Sequence, residues 1–99
     1  MEDIGALPDD WEWLHSQQNI DRWDLMIIRD FDGKPERVLV GWMESKITPF
    51  LIEWRWFSWN ITGSTMASAV HNDRSVCERE LVIHGKALRA ELALLKGGL

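Results

Sequence analysis

The chain has no tyrosine, only one cysteine and no long uninterrupted apolar run. A lone Cys77 cannot form an internal disulfide, so we expect a protein of a reducing compartment, the cytoplasm. The most hydrophobic run, residues 47–59, contains Glu53 and Arg55 and falls short of the roughly 20 apolar residues that a membrane helix needs. The first residues have neither a basic nor an apolar region, which predicts no secretory signal. We therefore expect no membrane partner.

Residue types that carry chemistry are scarce. Cys77 with His71 or His84 could form a nucleophile and its base, but Cys77 lies on an apolar helical stripe, where cysteine is usually a small hydrophobe. The spacing of these three residues matches no zinc pattern. Residues 30–33 resemble the start of a calcium loop, but the third acid and the closing glutamate are missing. The sequence predicts no catalytic residue, no metal site and no cofactor.

An excess of positive charge is also absent, since the formal net charge is −5. Residues 1–36 hold ten acids against three basic residues, whereas residues 37–99 have a net charge of +2. Such an acidic half argues against direct nucleic-acid binding, which depends on clustered lysine and arginine. It favours a basic protein partner, or else a solvated face with no partner at all.

Tryptophan, in contrast, is abundant, with seven residues in a chain of 99. Three of them fall within residues 54–59, beside Arg55. Tryptophan and arginine are enriched where interfaces gain most of their binding energy, and tryptophan also anchors cores. Two interpretations stay open: this run packs inside the fold, or it forms a binding surface.

The length fits one domain over residues 1–99, with residues 1–7 as a loose leader. Acids after Pro8 predict a short helix over 7–14. Residues 23–30 and 36–44 read as strands joined at Asp32-Gly33, a pair typical of a type I′ turn. That register pairs Phe31 with Lys34, Arg29 with Glu36, Ile27 with Val38, and Leu25 with Val40, with a bulge at Pro35 as an option.

A third strand is predicted over 50–59, with Trp54 and Trp56 on one face and Arg55 and Trp59 on the other. The hairpin is apolar on both faces, with Trp42 assigned to one and Met43 to the other. Both faces of such a sheet must be covered.

The C-terminal segment predicts a long helix that opens with a capping box over 75–78. Two apolar stripes give it a wide buried face: Cys77, Leu81, His84, Leu88, Leu92, Leu95, and beside them Ile83, Ala87, Ala90, Leu94. Gly85 either packs closely against an indole or splits the segment, so that residues 80–84 form a fourth short strand.

These elements predict an α+β fold of order α-β-β-β-α. A three-stranded antiparallel sheet is flanked by a short N-terminal helix and a long C-terminal helix, with the fourth strand near 80–84 as an alternative. The short helix is too small to cover its side of the sheet, so we expect a homodimer.

The sequence thus predicts a small, acidic, non-enzymatic protein–protein interaction module. A sharper version is an inhibitor that docks on a basic nucleic-acid-handling protein, as compact phage and mobile-element proteins do. The alternatives are a structural subunit of a homo-oligomer and a small ligand-binding domain or enzyme with a tryptophan-lined pocket. The predicted partner-binding residues are Trp54, Arg55, Trp56, Trp59, Asp9, Asp10 and Glu12.

Overall fold

The computed structural model describes residues 5–97, apart from the side chains of Phe31 and residues 95–97. A five-stranded antiparallel sheet, in which each strand pairs with the next along the chain, precedes one helix. The bounds are β1 Trp11–His15, β2 Arg22–Phe31, β3 Lys34–Ile47, β4 Ile52–Trp59, β5 Thr65–Ala67 and α1 Arg74–Gly97. The predicted fold class is therefore wrong: the described chain is mostly β, with a single helix at its C-terminal end.

The predicted N-terminal helix is strand β1. The acids that suggested a helix start belong to a turn, in which the Trp11 amide donates to the Pro8 carbonyl over 3.0 Å. After that turn, Trp11 and Trp13 alternate with Glu12 and Leu14, the period of a strand. Pairing with β2 decides the structure, with Trp11 opposite Ile27 and Trp13 opposite Leu25, because a helix as short as residues 7–14 would have little stability of its own.

The β2–β3 hairpin is confirmed. Asp32 and Gly33 have φ values of 52° and 77°, as a type I′ turn requires. The predicted pairs Phe31–Lys34, Arg29–Glu36 and Ile27–Val38 are all present. Leu25, however, pairs with Gly41 rather than Val40, because a bulge interrupts the register between Leu25 and Met26 rather than at Pro35.

This bulge reverses the predicted faces of the residues that follow it. Val40 and Gly41 both face α1, so Met43 becomes fully buried in the core and Trp42 lies on the opposite side of the sheet. The buried Ser58 hydroxyl donates to the Val40 carbonyl over 2.8 Å, which satisfies a carbonyl at the interrupted position.

Strand β4 follows the predicted alternation. Trp54 and Trp56 are buried beneath α1, and Arg55 is exposed on the far side. The short β5, which the sequence did not predict, pairs with the end of β4 and places Met66 opposite Ser58.

Helix α1 is continuous through residues 80–84, so the alternative fourth strand is wrong. It begins one residue before the predicted capping box: Asp73 caps it, accepting hydrogen bonds from the Ser75 amide and hydroxyl. Only the first half of α1 is buried, through Cys77, Leu81, Val82 and Gly85. The second predicted apolar stripe is not buried along its length, since Leu94 is exposed.

Gly85 packs against an indole, one of the two predicted options. A Cβ there would lie 3.1 Å from the Trp11 ring and 2.5 Å from Val40 Cγ1. Part of the predicted leader contacts the helix, since the Lys86 amine of α1 donates to the Ala6 carbonyl over 2.7 Å. Residues 1–4 of that leader lie outside the described residues. No helix within residues 5–97 is long and apolar enough to cross a membrane.

Candidate functional site

Helix α1 packs on one face of the sheet, against β3 and β4, and no described element lies on the other. We call this second side the open face. Strand alternation and register place on it a set of half-buried apolar side chains: Leu14, Met26, Ile28, Leu39, Trp42, Phe57 and Trp59. A sheet face in contact with water usually carries polar residues instead, so the open face has the composition of a surface that binds something.

An aromatic cluster forms the centre of the open face. Trp42 and Phe57 are cross-strand partners, and their rings stack with centroids 5.3 Å apart and planes 13° apart. Trp59 meets Trp42 edge-on at 5.6 Å. On the other side of Trp42, the Arg22 guanidinium lies 4.6 Å from the ring centroid. These contacts hold the rings in fixed positions, so a partner would bind them at little cost in side-chain entropy.

Charged residues surround this cluster in pairs of opposite sign. Arg22 lies 2.7 Å from Asp24, and Arg37 lies 3.1 Å from Glu12. Cross-strand register places two further pairs at the other end of the open face, Glu44 opposite Arg55 and Lys46 opposite Glu53. The charges of these four pairs cancel, so the polar rim around the aromatic cluster has no net charge.

Trp54 and Trp56, the central predicted site residues, lie in the core instead of on the open face. The Trp56 indole donates to Glu80 of α1 over 3.0 Å, and Arg74 lies 5.4 Å from the Trp54 ring centroid. Glu80 also lies 2.8 Å from His71, and the hydrogen bond from Trp56 is the main reason why the pKa of Glu80 is lowered. These two indoles fix α1 on the sheet, and no more than 9% of either residue is exposed.

The other predicted site residues divide into two groups. Arg55, Trp59 and Glu12 lie on the open face. Asp9 and Asp10 lie just before β1, where the Asp10 carbonyl accepts the Ile28 amide over 2.7 Å. This places them towards the same end of the sheet as the β2–β3 turn, where Asp30, Asp32 and also Lys34 are exposed. We call these four aspartates the acidic end, and none of them joins a salt bridge with another described residue.

Cys77 and the histidines are used in packing. Burial, with smaller effects from Glu80 and Glu78, raises the pKa of the Cys77 thiol to about 12, so the nucleophilic thiolate does not form at neutral pH. His84 contacts the Trp56 ring and lies 2.9 Å from the Trp59 carbonyl. Within residues 5–97 no cluster of His, Cys, Asp and Glu side chains could hold a metal ion.

Sequence reasoning missed Trp42, Phe57 and Arg22 as members of one surface. Strict alternation along β3 assigns Trp42 to the helix side, and only the bulge at Val40 moves it to the open face. The one available signal was Gly41, which directly precedes Trp42 and is a residue that often marks a bulge within a strand.

No protein-family model, curated protein or solved structure matches the chain in sequence or fold comparisons.

Proposed function

We propose that this protein is a non-enzymatic interaction module that binds a protein partner through its open face. The observation that supports this most is the ordered cluster of Trp42, Phe57 and Trp59 with Arg22, on a side of the sheet that no described element covers. Large aromatic side chains and arginine, surrounded by polar pairs, are the usual composition of an interface centre and its rim.

The same features define the partner's chemistry. Because the charges around the cluster cancel, the partner needs an apolar patch with charges of both signs at its margin rather than a strongly basic surface. A second copy of the chain meets this requirement, so the homodimer expected from the sequence is one form of the proposal. The lone cysteine, which cannot form an internal disulfide, supports a reducing compartment such as the cytoplasm as the place of action.

The test compares three proteins in capture experiments from lysate of the native host and in mass measurements. The open-face variant, Trp42→Thr/Phe57→Thr, removes the two stacked rings. Threonine replaces them because it is favourable in β-strands. Ile20→Thr, which changes an exposed residue in the β1–β2 turn, is the matched control. We expect wild type and control to bind a partner, or to dimerise, and the folded open-face variant to lose that binding. Equal binding by all three proteins would refute the proposal.

A second candidate function rests on the acidic end. The gathering of Asp9, Asp10, Asp30 and Asp32 without salt bridges to described residues favours docking on a basic protein, as an inhibitor of a nucleic-acid-handling protein would do. Such docking would use the turn end of the sheet and not the aromatic cluster of the open face. Salt dependence separates the two candidates, because only docking through the acidic end depends on unpaired charge.

A further inference from the structure

The turn between β3 and β4 has an ordered backbone, and it exposes apolar side chains to water. Ile47, Phe50, Leu51 and Ile52 have exposed fractions of 76%, 93%, 41% and 45%, and we call them the apolar tip. Thr48 orders the turn: its amide donates to the Leu51 carbonyl over 2.9 Å, and its hydroxyl oxygen accepts the amides of Phe50 and Leu51. An exposed phenylalanine on so ordered a turn is suited to enter a pocket on another molecule.

A matching depression lies at the other end of the molecule. Between the second half of α1 and the adjoining ends of β2 and β3 there is a groove of about 520 Å³, which we call the apolar groove. Its floor and walls include Ile27, Val38, Val40, Leu88 and Leu92. The second half of α1 is mostly exposed here, so its apolar residues have few contacts with the described part of their own chain.

The tip cannot reach the groove of its own chain. The groove contacts β3 at residues 38–40, whereas the tip begins at Ile47, the last residue of the same strand. Seven residues of strand, at roughly 3.3 Å each, separate the two by about 23 Å. Because β3 is paired on both sides within the sheet, this distance is fixed.

We propose that the apolar tip of one copy of this protein inserts into the apolar groove of a second copy. The chain itself carries both complementary surfaces, at opposite ends of one sheet. Residues 47–52 include no charged side chain, so the tip itself brings no charge into the groove, whose lining includes Arg29 and Arg89. A phenylalanine side chain buries about 150–250 Å², and a groove of this size accommodates it together with an aliphatic neighbour.

Copies that meet end to end leave one tip and one groove free at each addition, so association continues into rings or open chains. Two copies that lie antiparallel instead insert both tips reciprocally and close as a dimer. The tip is small, and the interface buries on the order of 1,000 Å² in total, the size of weak complexes. Assembly should therefore depend on protein concentration. This contact uses neither Trp42 nor Phe57, the two residues changed in the open-face variant, although Leu39 and Trp59 of the open face also line the groove.

Two exposed substitutions test the proposal by complementation. Phe50→Asp disables the tip and Leu92→Glu disables the groove, and neither residue is buried in the core. We expect the mass of wild type in sedimentation velocity to increase with concentration from that of a monomer. Each variant alone should stay monomeric, with its association constant reduced at least about tenfold. An equimolar mixture should form a 1:1 dimer and nothing larger, since only one intact tip and one intact groove can meet.

Leu94→Glu is the matched control, because it places the same charge on the same helix at an exposed residue outside the groove. It should assemble as wild type does. A wild type that is monomeric at the highest attainable concentration would overturn the proposal. So would assembly that survives both single variants, or a mixture that fails to form the dimer although wild type assembles.

Discussion

Two small residues, Gly41 and Ser58, determine how closely α1 approaches the sheet. At Gly41 a Cβ would lie 2.5 Å from the Phe57 carbonyl oxygen and 2.8 Å from Leu81 Cδ1. Ser58, its neighbour on β4, is fully buried and fills its site with a hydroxyl that bonds to the Val40 carbonyl. Leu81 therefore packs directly on the backbone of β3 and β4. The short distance between helix and sheet reduces the volume that the core side chains must fill.

Gly41→Ala should lower the free energy of unfolding by about 2–3 kcal/mol, the upper part of the range for overpacking. The added methyl group meets a backbone carbonyl in the middle of the sheet, which cannot rotate away. Gly85→Ala is the comparison: its methyl group also meets close neighbours, Val40 Cγ1 at 2.5 Å and the Trp11 ring at 3.1 Å, but these are side chains, and the helix gains about 0.8–1 kcal/mol in propensity, so its loss should be smaller. Urea unfolding of both variants checks this, and a larger loss for Gly85→Ala would contradict it.

Glu80 makes the stability of the fold depend on pH. Its pKa is lowered from 4.5, mainly by the Trp56 hydrogen bond, so the folded state binds fewer protons than the unfolded state near that pH. The stabilisation is complete above pH 4.5 and is lost as the pH falls through the lower folded pKa. Glu80→Gln, which keeps an oxygen acceptor for Trp56, should be less stable than wild type at pH 7, and the difference should shrink towards pH 3. The effect is modest, because the Glu80 side chain is 44% exposed. A difference that grows on acidification would refute this.

At the level of elements, local chemistry predicted some structures and tertiary pairing decided others. The Asp32-Gly33 turn and the β2–β3 register near it follow from residues adjacent in sequence, and both were predicted. Strand β1 was not, because Pro8-Asp9-Asp10 resembles a helix start and only pairing with β2 makes Trp11 to His15 a strand. Trp42 was assigned to the wrong face for a similar reason, since the bulge interrupts the β2–β3 pairing at Val40, where Gly41 lies against Leu81 of α1.

The two halves of α1 differ in their packing, and amide exchange should show it. Cys77, Leu81 and Val82 are buried in the core, whereas residues 89–94 are exposed. In dilute protein we expect amides of residues 90–94 to exchange at least about a hundredfold faster than those of residues 81–85, because an unpacked helix end opens without unfolding the core. The same measurement on Phe50→Asp, in which the tip is disabled, excludes protection of the helix end by assembly. Uniform protection along the helix of this variant would contradict the prediction.

For the whole molecule, the separation of charge decides between the two candidate functions. The open face pairs Arg22 with Asp24 and Arg37 with Glu12, and register places Glu44 opposite Arg55. The acidic end, in contrast, has negative charge without salt-bridge partners among the described residues. The acidic composition of residues 1–36 suggested a basic partner, but the sequence could not show that Glu12 and Asp24 are neutralised within the sheet.

Raising the salt concentration from about 0.1 M to about 1 M shortens the Debye length from about 10 Å to about 3 Å. Binding through the neutral open face should then change by less than about threefold, since apolar burial is its main source of affinity. The variant Asp9→Asn/Asp30→Asn/Asp32→Asn should bind equally well, and asparagine at residue 32 tolerates the positive φ of the turn. Titration of the captured partner at both salt concentrations provides the measurement. A loss above about tenfold, reproduced by the charge-removing variant at low salt, would assign the function to the acidic end instead.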